Sequence, residues 1–565
     1  MTVGREFWLA GLAALAALDA SPRLAAAGGL LLPGAGAVST SRAGAAVASA
    51  DDGEALVLNP AGIAKAEGTT ITLSAAIVEY AMEFQRRGAY DAVAGENYPY
   101  AGQAFPRVRN DASPPLGIGA LQPVPVFAVL SDLGGRLGGL HLGGGFYAPN
   151  AYPFRDLCTE LGSAGCHAFQ PTASQPMDDP NIPPPPTRYD VMKQEAAVFL
   201  PSLAAAYRWL PGLDLGARVS WGFANLKSTT ALWGSPTANY EEDVKKDGLF
   251  NVDVSDHFVF GYGLGATYRP TPNLELAANY SSELDIYGKG TATSQLGPSA
   301  GLPGLPTTIG PKSDATATCA PGGTADALKA CVDLALPRNA QLAGRYKFLD
   351  GAGRLQGDVE LDLDWENWGK TCSADDFRTG KCVSPGDYRV VVDAAVALNG
   401  VPTIPLNDAT IRHGFQDTYG IRAGGSYHLT VGAARGDGSH DEVILRGGLG
   451  YETAAAKPGW LRADLDGAAR TTITVGAAYR MRHYEISAGG GAILEGSPSN
   501  PNVGGGAAPC NPTTAAPTCN GSTVHQGPDP INPILAPDAQ VLSPVNQGDY
   551  KSHYLLFMLG ITAWF

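Results

Sequence analysis

Apolar and polar side chains alternate along the last stretch of the chain, residues 554–565. Successive side chains of a β-strand point to opposite faces. One face of this stretch would therefore be wholly apolar, and the other would mix small, polar and apolar members. The apolar row is Leu555, Phe557, Leu559, Ile561, Ala563 and Phe565. Such a row is typical of a transmembrane β-strand, whose outer face meets lipid.

Alternating runs of about ten residues recur along the chain, and ten residues suffice to cross a bilayer as a tilted strand. Fourteen runs begin near residues 69, 118, 138, 196, 213, 257, 273, 338, 355, 415, 441, 470, 483 and 553. The alternation is clearest in 213–226, 273–287 and 355–366. We therefore predict an all-β fold, a 14-stranded antiparallel transmembrane β-barrel over residues 69–565. In 273–287, Leu284 and Ile286 are expected to face outward with Leu274.

The connections between these runs alternate in length. Those after even-numbered runs are short, and most of those after odd-numbered runs are long: roughly 84–117, 149–195, 227–256, 288–337, 367–414 and 495–552. Outer-membrane barrels have short periplasmic turns and long extracellular loops. An even number of strands then places both termini in the periplasm.

Composition and the N-terminus agree with an exported membrane protein. Charged residues make up only 16% of the chain, and no run beyond the N-terminus is long enough for a membrane helix. Residues 1–27 contain Arg5, an apolar core over 7–18 and three alanines at 25–27, which predicts a signal peptide cut before Gly28. A membrane anchor is the alternative, but the core is too short to span. The net charge of −15 argues against a nucleic-acid partner.

Eight cysteines fall in the connections after odd-numbered runs, as four near neighbours. In an exported protein such cysteines indicate disulfides that close surface loops. No spacing typical of a metal site is present. Pairing of neighbours gives the shortest loops, although the sequence leaves other connectivities open: Cys158/Cys166, Cys319/Cys331, Cys372/Cys382 and Cys510/Cys519.

The predicted inward rows carry charge. Acidic residues alternate from Asp358 to Glu366, and the neighbouring runs supply basic ones. A salt-bridge network in the lumen is the simplest interpretation, because the calcium-loop pattern lacks its glycine and its distant glutamate. A ligand carboxylate would want a basic partner beside an apolar groove. The inward candidates for that role are Arg218, Arg345, Arg422 and Arg446.

Residues 28–68 precede the first run and are rich in alanine and glycine, which suits a compact plug inside a barrel. This segment resembles the N-terminal hatch of the FadL/TodX (OMPP1) family of outer-membrane transporters for long-chain fatty acids and other hydrophobic compounds. The similarity continues through "LPRNAQLAGRYKF", "LDLDWENW" and "GFQDTYGIRAGGSYHL" to the terminal phenylalanine. The matching hatch residues are Arg42-Ala43-Gly44, Ala48, Asp51-Asp52 and Asn59-Pro60-Ala61.

The resemblance implies passive uptake of hydrophobic small molecules in the outer membrane of a Gram-negative bacterium, without a cofactor or metal. It also implies sideways release through a kink in the third strand, where Gly143, Gly144 and Gly145 interrupt the side-chain rows. Phe565 would be read by the barrel-assembly machinery, and the barrel would be a monomer among outer-membrane lipids.

Three other functions are weighed against this one. A diffusion porin would not normally carry such a plug. A surface receptor or adhesin would use the long loops. A barrel hydrolase needs a held Ser–His pair, and His483 and Ser487 share a predicted inward row without any acidic or oxyanion pattern, so we expect no enzyme.

Overall fold

Fourteen strands pair in sequence and close into a barrel, as predicted. The computed structural model describes residues 28–136, 138–158, 183–232, 242–297, 299, 307–312, 319, 324, 327–373, 382–406, 409–432, 440–465, 467–500 and 546–565. The fourteen wall strands are β1 (Thr69–Arg86), β3 (Gln122–Ser131), β4 (Leu140–Tyr147), β6 (Lys193–Leu210), β7 (Leu213–Leu232), β8 (Gly248–Tyr268), β9 (Leu274–Ser281), β13 (Asn339–Leu349), β14 (Leu355–Glu366), β19 (Thr418–Val431), β20 (Asp441–Glu452), β21 (Arg470–Arg480), β22 (Tyr484–Leu494) and β23 (Gly548–Trp564).

Each wall strand pairs antiparallel with its neighbours, and the last strand closes the ring on the first. β23 runs beside β1 from Thr70↔Trp564 to Arg86↔Gly548. The terminal Phe565 and Thr69 exchange backbone hydrogen bonds of 2.9 and 3.0 Å. This closure leaves neither strand as an open edge.

The alternation of side chains follows the predicted faces. Outward residues such as Val219, Leu363 and Leu559 are 46%, 50% and 57% exposed. Inward residues of the same strands, such as Ser220 and Asp362, are buried. The outward residues form an apolar belt around the barrel, as expected for one that crosses a bilayer.

The long connections contain strands that the alternation did not predict. β2 (Arg107–Arg109) pairs with β1, and β5 (Arg155–Asp156) pairs with β6. Others extend the sheet beyond the wall: β10 (Leu284–Leu296), β12 (Leu328–Leu336), β15 (Tyr388–Val392) and β18 (Ala409–Ile411). A separate sheet combines β11 (Thr307–Pro311), β16 (Ala394–Leu398) and β17 (Val401–Pro405). We call the end of the barrel that carries these strands the loop end.

One predicted run is wrong in its second half. Residues 273–287 do not form one strand, because β9 stops at Ser281 and the chain resumes as β10 at Leu284. After this break the chain pairs with β12 and β8 instead of β13. Ile286, predicted to face outward, is therefore 6% exposed and packs in the interior.

The helices are short. They are α1 (Gly36–Thr40), α2 (Ala55–Leu58), and 3₁₀ turns over Pro60–Lys65 and Leu133–Gly135. Within the described residues, no helix is long and apolar enough to cross a membrane.

Candidate functional site: the hatch and an apolar cavity at the wall

Residues 28–68, which we call the hatch, pack against inward-facing side chains of the wall. The Arg42 guanidinium donates to both carboxylate oxygens of Asp358 at 3.0 Å and to Glu360 at 3.0 Å. Asp362 accepts the backbone N–H of Ala46 at 3.0 Å. Since ionised carboxylates accept strong hydrogen bonds from N–H groups, the acidic row of β14 binds this part of the hatch.

Sequence reasoning missed Glu54, which organises the hatch itself. Its buried carboxylate accepts the backbone N–H groups of Val38 at 2.9 Å and Ser39 at 2.8 Å. It also accepts the Ser74 hydroxyl of β1 at 3.1 Å. These bonds satisfy donors at the start of α1, where a helix has no backbone acceptors of its own. Glu54 and Glu67 are the two glutamates of this Ala/Gly-rich segment, and the sequence does not show which of them is buried.

The predicted hatch residues differ in their surroundings. Asp52 is buried and accepts the Glu54 N–H at 2.9 Å, whereas Asp51 is exposed. Gly44 follows α1 with a φ of +85°, a conformation that favours glycine. Its backbone N–H donates to Ser39 at 2.9 Å. Asp52 and Gly44 thus shape turns of the hatch.

The Asn59-Pro60-Ala61 turn lies against two glycines of the wall. The Asn59 side-chain oxygen accepts the Ala61 N–H at 3.1 Å, and its amide donates to the Val47 carbonyl at 2.9 Å. A Cβ atom at Gly216 or Gly265 would overlap with this turn. The wall therefore has residues without side chains where the turn approaches.

Three of the four candidate arginines have carboxylate partners. Arg345 pairs with Glu275 at 3.0 Å and with Asp358 at 2.6 Å. Arg422 pairs with Asp364 at 3.0 Å and also contacts Glu452. Arg446 pairs with Glu485 at 2.6 Å. These are the ion pairs expected of a lumen network, so their charges are already balanced.

Arg218 differs from the other three. It is 5% exposed and has no carboxylate partner among the described residues. Its guanidinium donates to the carbonyls of Leu56 at 2.7 Å and Val57 at 2.9 Å, and lies 5.1 Å from the ring centroid of Tyr147. Its Nε atom is buried without a hydrogen-bond partner. A buried cation without a counterion is costly, which makes Arg218 the strongest of the four for an anionic ligand.

An apolar cavity of about 220 Å³ lies between the loop end and the wall. Among the described residues that line it, all but Gln122, Gln194, Asn225 and Asp256 are apolar or weakly polar, and none is a lysine, arginine or histidine. Its inner end is formed by residues such as Leu30, Leu336, Trp368 and Leu465. Such a surface suits the hydrocarbon part of a ligand.

The cavity reaches the barrel wall where β4 ends. Pairing between β3 and β4 stops at Val126↔Tyr147, and β6 loses its β4 partner beyond Leu200. β6 regains a partner only at Gln194, opposite Arg155 of β5. Among the described residues, 195–199 of β6 therefore have no strand partner on this side. We call this interruption the wall opening.

The predicted position of the opening needs correction. A gap was expected beside Gly143–Gly145, but these glycines pair with both β3 and β6. A Cβ atom at Gly143 would approach Ile63 of the hatch, and one at Gly145 would overlap with the Phe127 carbonyl. The glycines thus serve close packing, and the interruption begins after Tyr147.

Two prolines border the opening. The Pro125 carbonyl accepts the Ala148 N–H at 3.2 Å, so the polar groups of Pro125 point towards the opening. Pro123 lies two residues away and points the same way. Because proline has no N–H, this edge of β3 exposes no unpaired donor at either position. Both prolines are visible in the sequence "QPVPVF" of residues 122–127.

Inward and outward side chains both line the cavity at this point. Val124 and Val198 face the interior, whereas Pro123 and Phe199 belong to the outer face. Below the opening, Phe146 packs outside between Phe127 and Phe199, with ring centroids 5.4 and 4.8 Å apart. The cavity therefore passes through the plane of the wall above an aromatic row.

A second, more polar cavity of about 140 Å³ adjoins the first, and Pro149 and Leu336 line both. Arg218 and Arg422 line the polar cavity, together with Asn279, Gln341 and Asp364. An elongated molecule could place an apolar chain in the first cavity and a polar end in the second.

Comparison with known proteins decides the family. The family model described as "Outer membrane protein transport protein (OMPP1/FadL/TodX)" matches residues 20–489. The chain belongs to the OMPP1/FadL/TodX family. No curated protein matches its sequence significantly.

Solved structures of OMPP1/FadL/TodX proteins share the fold at low sequence identity. A Pseudomonas aeruginosa FadL homologue is 14% identical, with a TM-score of 0.60 over 95% of this chain and 100% of the other. The Pseudomonas putida toluene transporter TodX is 13% identical, with a TM-score of 0.54 over 94% and 99%. The Ralstonia pickettii toluene transporter TbuX is 14% identical, with a TM-score of 0.52 over 94% and 99%. The chain is thus an outer-membrane β-barrel of a transport family.

The predicted disulfides are partly visible in this family member. Cys319–Cys331 and Cys372–Cys382 are bonded, each with Cα atoms 5.7 Å apart. Cys158 is also disulfide-bonded, whereas Cys166, Cys510 and Cys519 lie outside the described residues, as does the predicted signal peptide. The two neighbour pairings that the structure describes are confirmed.

The hydrolase alternative gains no support from the geometry. Ser487 donates to Glu485 at 2.9 Å, and a ring nitrogen of His483 contacts the Trp564 carbonyl at 3.2 Å. Each group is thus engaged elsewhere. Phe565 follows the last residue of β23 and is 68% exposed, and its role as an assembly signal stays a prediction.

Proposed function

We propose that this protein carries hydrophobic compounds passively across the outer membrane and releases them sideways through the wall opening. The observation that supports this most is the apolar cavity that passes through the plane of the wall between β3 and β6. A hydrophobic molecule in this cavity would reach the membrane without crossing water.

The physical reason for a sideways path is the cost of exposing hydrocarbon. Each methylene moved from an apolar surface into water costs about 0.8 kcal/mol. An apolar molecule would therefore cross a watery pore slowly but could move from the cavity into lipid at little cost. A diffusion porin would need neither the cavity nor the opening.

The hatch closes the barrel axis in this proposal. It is held to β14 by Arg42 and fitted onto Gly216 and Gly265 by the Asn59-Pro60-Ala61 turn. We further propose that residues 1–27 are removed on export, that the loop end faces the outside of the cell, and that both termini are periplasmic. Removing the hatch should then let small hydrophilic solutes through.

The lining of the apolar cavity favours an uncharged cargo. Asp256 is the one charged residue in its described lining, and it would repel a carboxylate. The related proteins TodX and TbuX are named toluene transporters. We propose an aromatic or aliphatic hydrocarbon as the main cargo.

A long-chain fatty acid is the second candidate, and Arg218 supports it. Its unbalanced charge lies at the adjoining polar cavity, within reach of a molecule whose chain occupies the apolar one. A fatty acid would place its carboxylate beside this guanidinium, where an ionised pair forms strong hydrogen bonds.

One experiment tests both candidates. Uptake of toluene, palmitate and glucose would be measured in proteoliposomes that contain the wild-type protein, Arg218→Met or the surface variant Arg354→Met. We expect toluene uptake by all three proteins and none for glucose. Loss of the palmitate signal in Arg218→Met alone, by about tenfold or 1.4 kcal/mol, would support the fatty-acid role. Glucose entry as fast as toluene entry would refute the proposed transporter and indicate a porin.

A further inference from the structure

The loop before β3 exposes two large apolar side chains. Leu116 is 80% exposed and Ile118 is 84% exposed, the highest values among the large hydrophobic residues of the described chain. They lie in residues 113–121, which we call the lip. The lip contains no charged residue, and Ser113 is its one polar side chain.

The backbone of the lip is tightly fixed. The Gly117 N–H donates to Pro114 at 2.9 Å, and Ile118 and Leu121 exchange hydrogen bonds of 3.0 and 3.2 Å. A Cβ atom at Gly117 would overlap with the Leu121 carbonyl. The exposure of Leu116 and Ile118 is therefore built into a defined turn.

The wall strands fix the position of the lip. The pairing of β1 with β3 ends at Val78↔Gln122, and the last outward pair of the apolar belt is Ile77↔Pro123. The lip ends at Leu121, directly before the first residue of β3, Gln122. It is also tied to the opening, because the Tyr152 hydroxyl donates to the Ala120 carbonyl at 2.7 Å.

Leu116 itself lines the apolar cavity together with the outward residues Pro123 and Phe199. The lip is thus continuous with the apolar belt on one side and with the mouth of the wall opening on the other. Lipid hydrocarbon already covers the belt of such a barrel, so hydrocarbon is the partner that fits the adjoining lip.

We propose that the lip inserts Leu116 and Ile118 into the hydrocarbon of the lipid leaflet beside the wall opening. The opening would then be bordered by lipid-embedded side chains instead of headgroups, and an apolar molecule would pass between cavity and membrane over an unbroken apolar surface. The lipid contact itself does not depend on which molecule is transported.

The test compares four positions in the full-length protein. Leu116→Cys and Ile118→Cys would each be labelled with an environment-sensitive fluorophore in proteoliposomes. Leu559→Cys, on the belt, is 57% exposed and serves as the lipid-facing control. Val401→Cys, on β17 at the loop end, is 61% exposed and serves as the water-facing control. Labelling of the unsubstituted protein gives the background, and heat-modifiable mobility shows that each variant is folded.

Quenching by nitroxides on lipid acyl chains and by aqueous iodide distinguishes the outcomes. We expect the lip positions to match Leu559→Cys, with lipid quenching at least threefold stronger and iodide quenching at least threefold weaker than at Val401→Cys. A lip that behaves like Val401→Cys would overturn the proposal. Protection from both quenchers would also overturn it, because it would show that a protein surface, such as a second copy, covers the lip.

Discussion

The two sides of the barrel interior are stabilised by different kinds of contact. On the side of β14 and β19, the hatch meets the wall through buried charges, with Arg42 bonded to Asp358 and Glu360. On the side of β3 and β6, an apolar cavity meets a wall whose strand pairing is interrupted. On the first side, ion pairs and hydrogen bonds fix the positions of the polar groups. The second side has few such directional bonds.

This difference corresponds to what each side is expected to do. Breaking a buried ion pair leaves an uncompensated charge and is strongly unfavourable, so the charged side resists opening. Apolar contacts are non-directional, so an apolar side can bind molecules of varied shape and release them again. In our account the hatch stays closed while the opposite wall conducts.

The largest expected effect comes from removing the charge that holds the hatch. Arg42→Met leaves Asp358 and Glu360 without their shared partner, which should cost about 3–5 kcal/mol of stability and admit small hydrophilic solutes. Unfolding in urea and antibiotic sensitivity of cells measure the two effects. Arg354→Met breaks an exposed pair with Asp350 and should cost about 0–1 kcal/mol. Equal losses in both variants would contradict the special role of the charged side.

A smaller loss should follow from overfilling the contact between hatch and wall. Gly216→Val places side-chain atoms where the backbone of Pro60 and Ala61 lies, and overpacking of this kind costs about 1–3 kcal/mol. Gly344→Ala is the matched control, because its Cβ atom would meet only Leu276 at 3.8 Å. Its stability should change by less than about 0.5 kcal/mol. A stable, non-leaking Gly216→Val barrel would show that the hatch can shift freely.

On the apolar side, filling the cavity should affect transport more than stability. Ala196→Trp projects into the cavity from β6, and we expect hydrocarbon uptake to fall about tenfold, equivalent to 1.4 kcal/mol. Leu203→Trp changes an outward residue of the same strand that is 55% exposed, and its uptake should match wild type. Uptake assays in proteoliposomes give both rates, and normal transport by Ala196→Trp would exclude the cavity from the path.

The smallest effect expected is a pH dependence of the loops over the cavity. Burial lowers the pKa of His413, but Asp464 and Asp387 raise it more, so the net shift is upward. Its ring nitrogen lies 3.0 Å from Asp464, which also pairs with Arg462, and its ring packs 5.2 Å from Tyr388 of the cavity lining.

Because the folded-state pKa of His413 is raised, its stabilising contribution is complete below about pH 6.5 and is lost as the pH rises through the raised value. The pKa of Asp464 is lowered, against the effect of burial, by His413 and Arg462. Its contribution is therefore lost in strong acid. Protection factors for hydrogen exchange of residues 409–417, corrected for the intrinsic pH dependence of amide exchange, should be higher in mild acid than at pH 8, and His413→Gln should remove the difference. A flat profile in the wild type would refute this assignment.

The sequence predicted the wall better than the interior. Alternation of side chains is a local signal, so all fourteen strands and the inward acidic row of β14 could be read directly. Where the pattern failed, at Ile286, the chain leaves one partner for another, which no local pattern records. The family resemblance indicates an opening beside Gly143–Gly145 of the third strand, whereas the strand pairing is interrupted after Tyr147, where Pro123 and Pro125 border the opening.

The site depends on which residues meet across the barrel. The four candidate arginines look alike in sequence. Only the three-dimensional arrangement shows that Arg345, Arg422 and Arg446 pair with carboxylates, while Arg218 meets no carboxylate in the described part of the chain. The partners of Glu54 are likewise set by the fold of the hatch.

The central claim is that cargo leaves through the wall opening, and cross-linking tests it most directly. Pro123→Cys and Phe199→Cys place thiols on the two edges of the opening, where a flexible thiol-specific linker can join them. The control joins Phe127→Cys to Phe146→Cys, which face each other in the intact wall below. Uptake of toluene would be measured on the same protein before and after linking. We predict at least a tenfold loss when the opening is bridged and no change in the control; full transport through the bridged opening would contradict sideways release and indicate exit along the barrel axis.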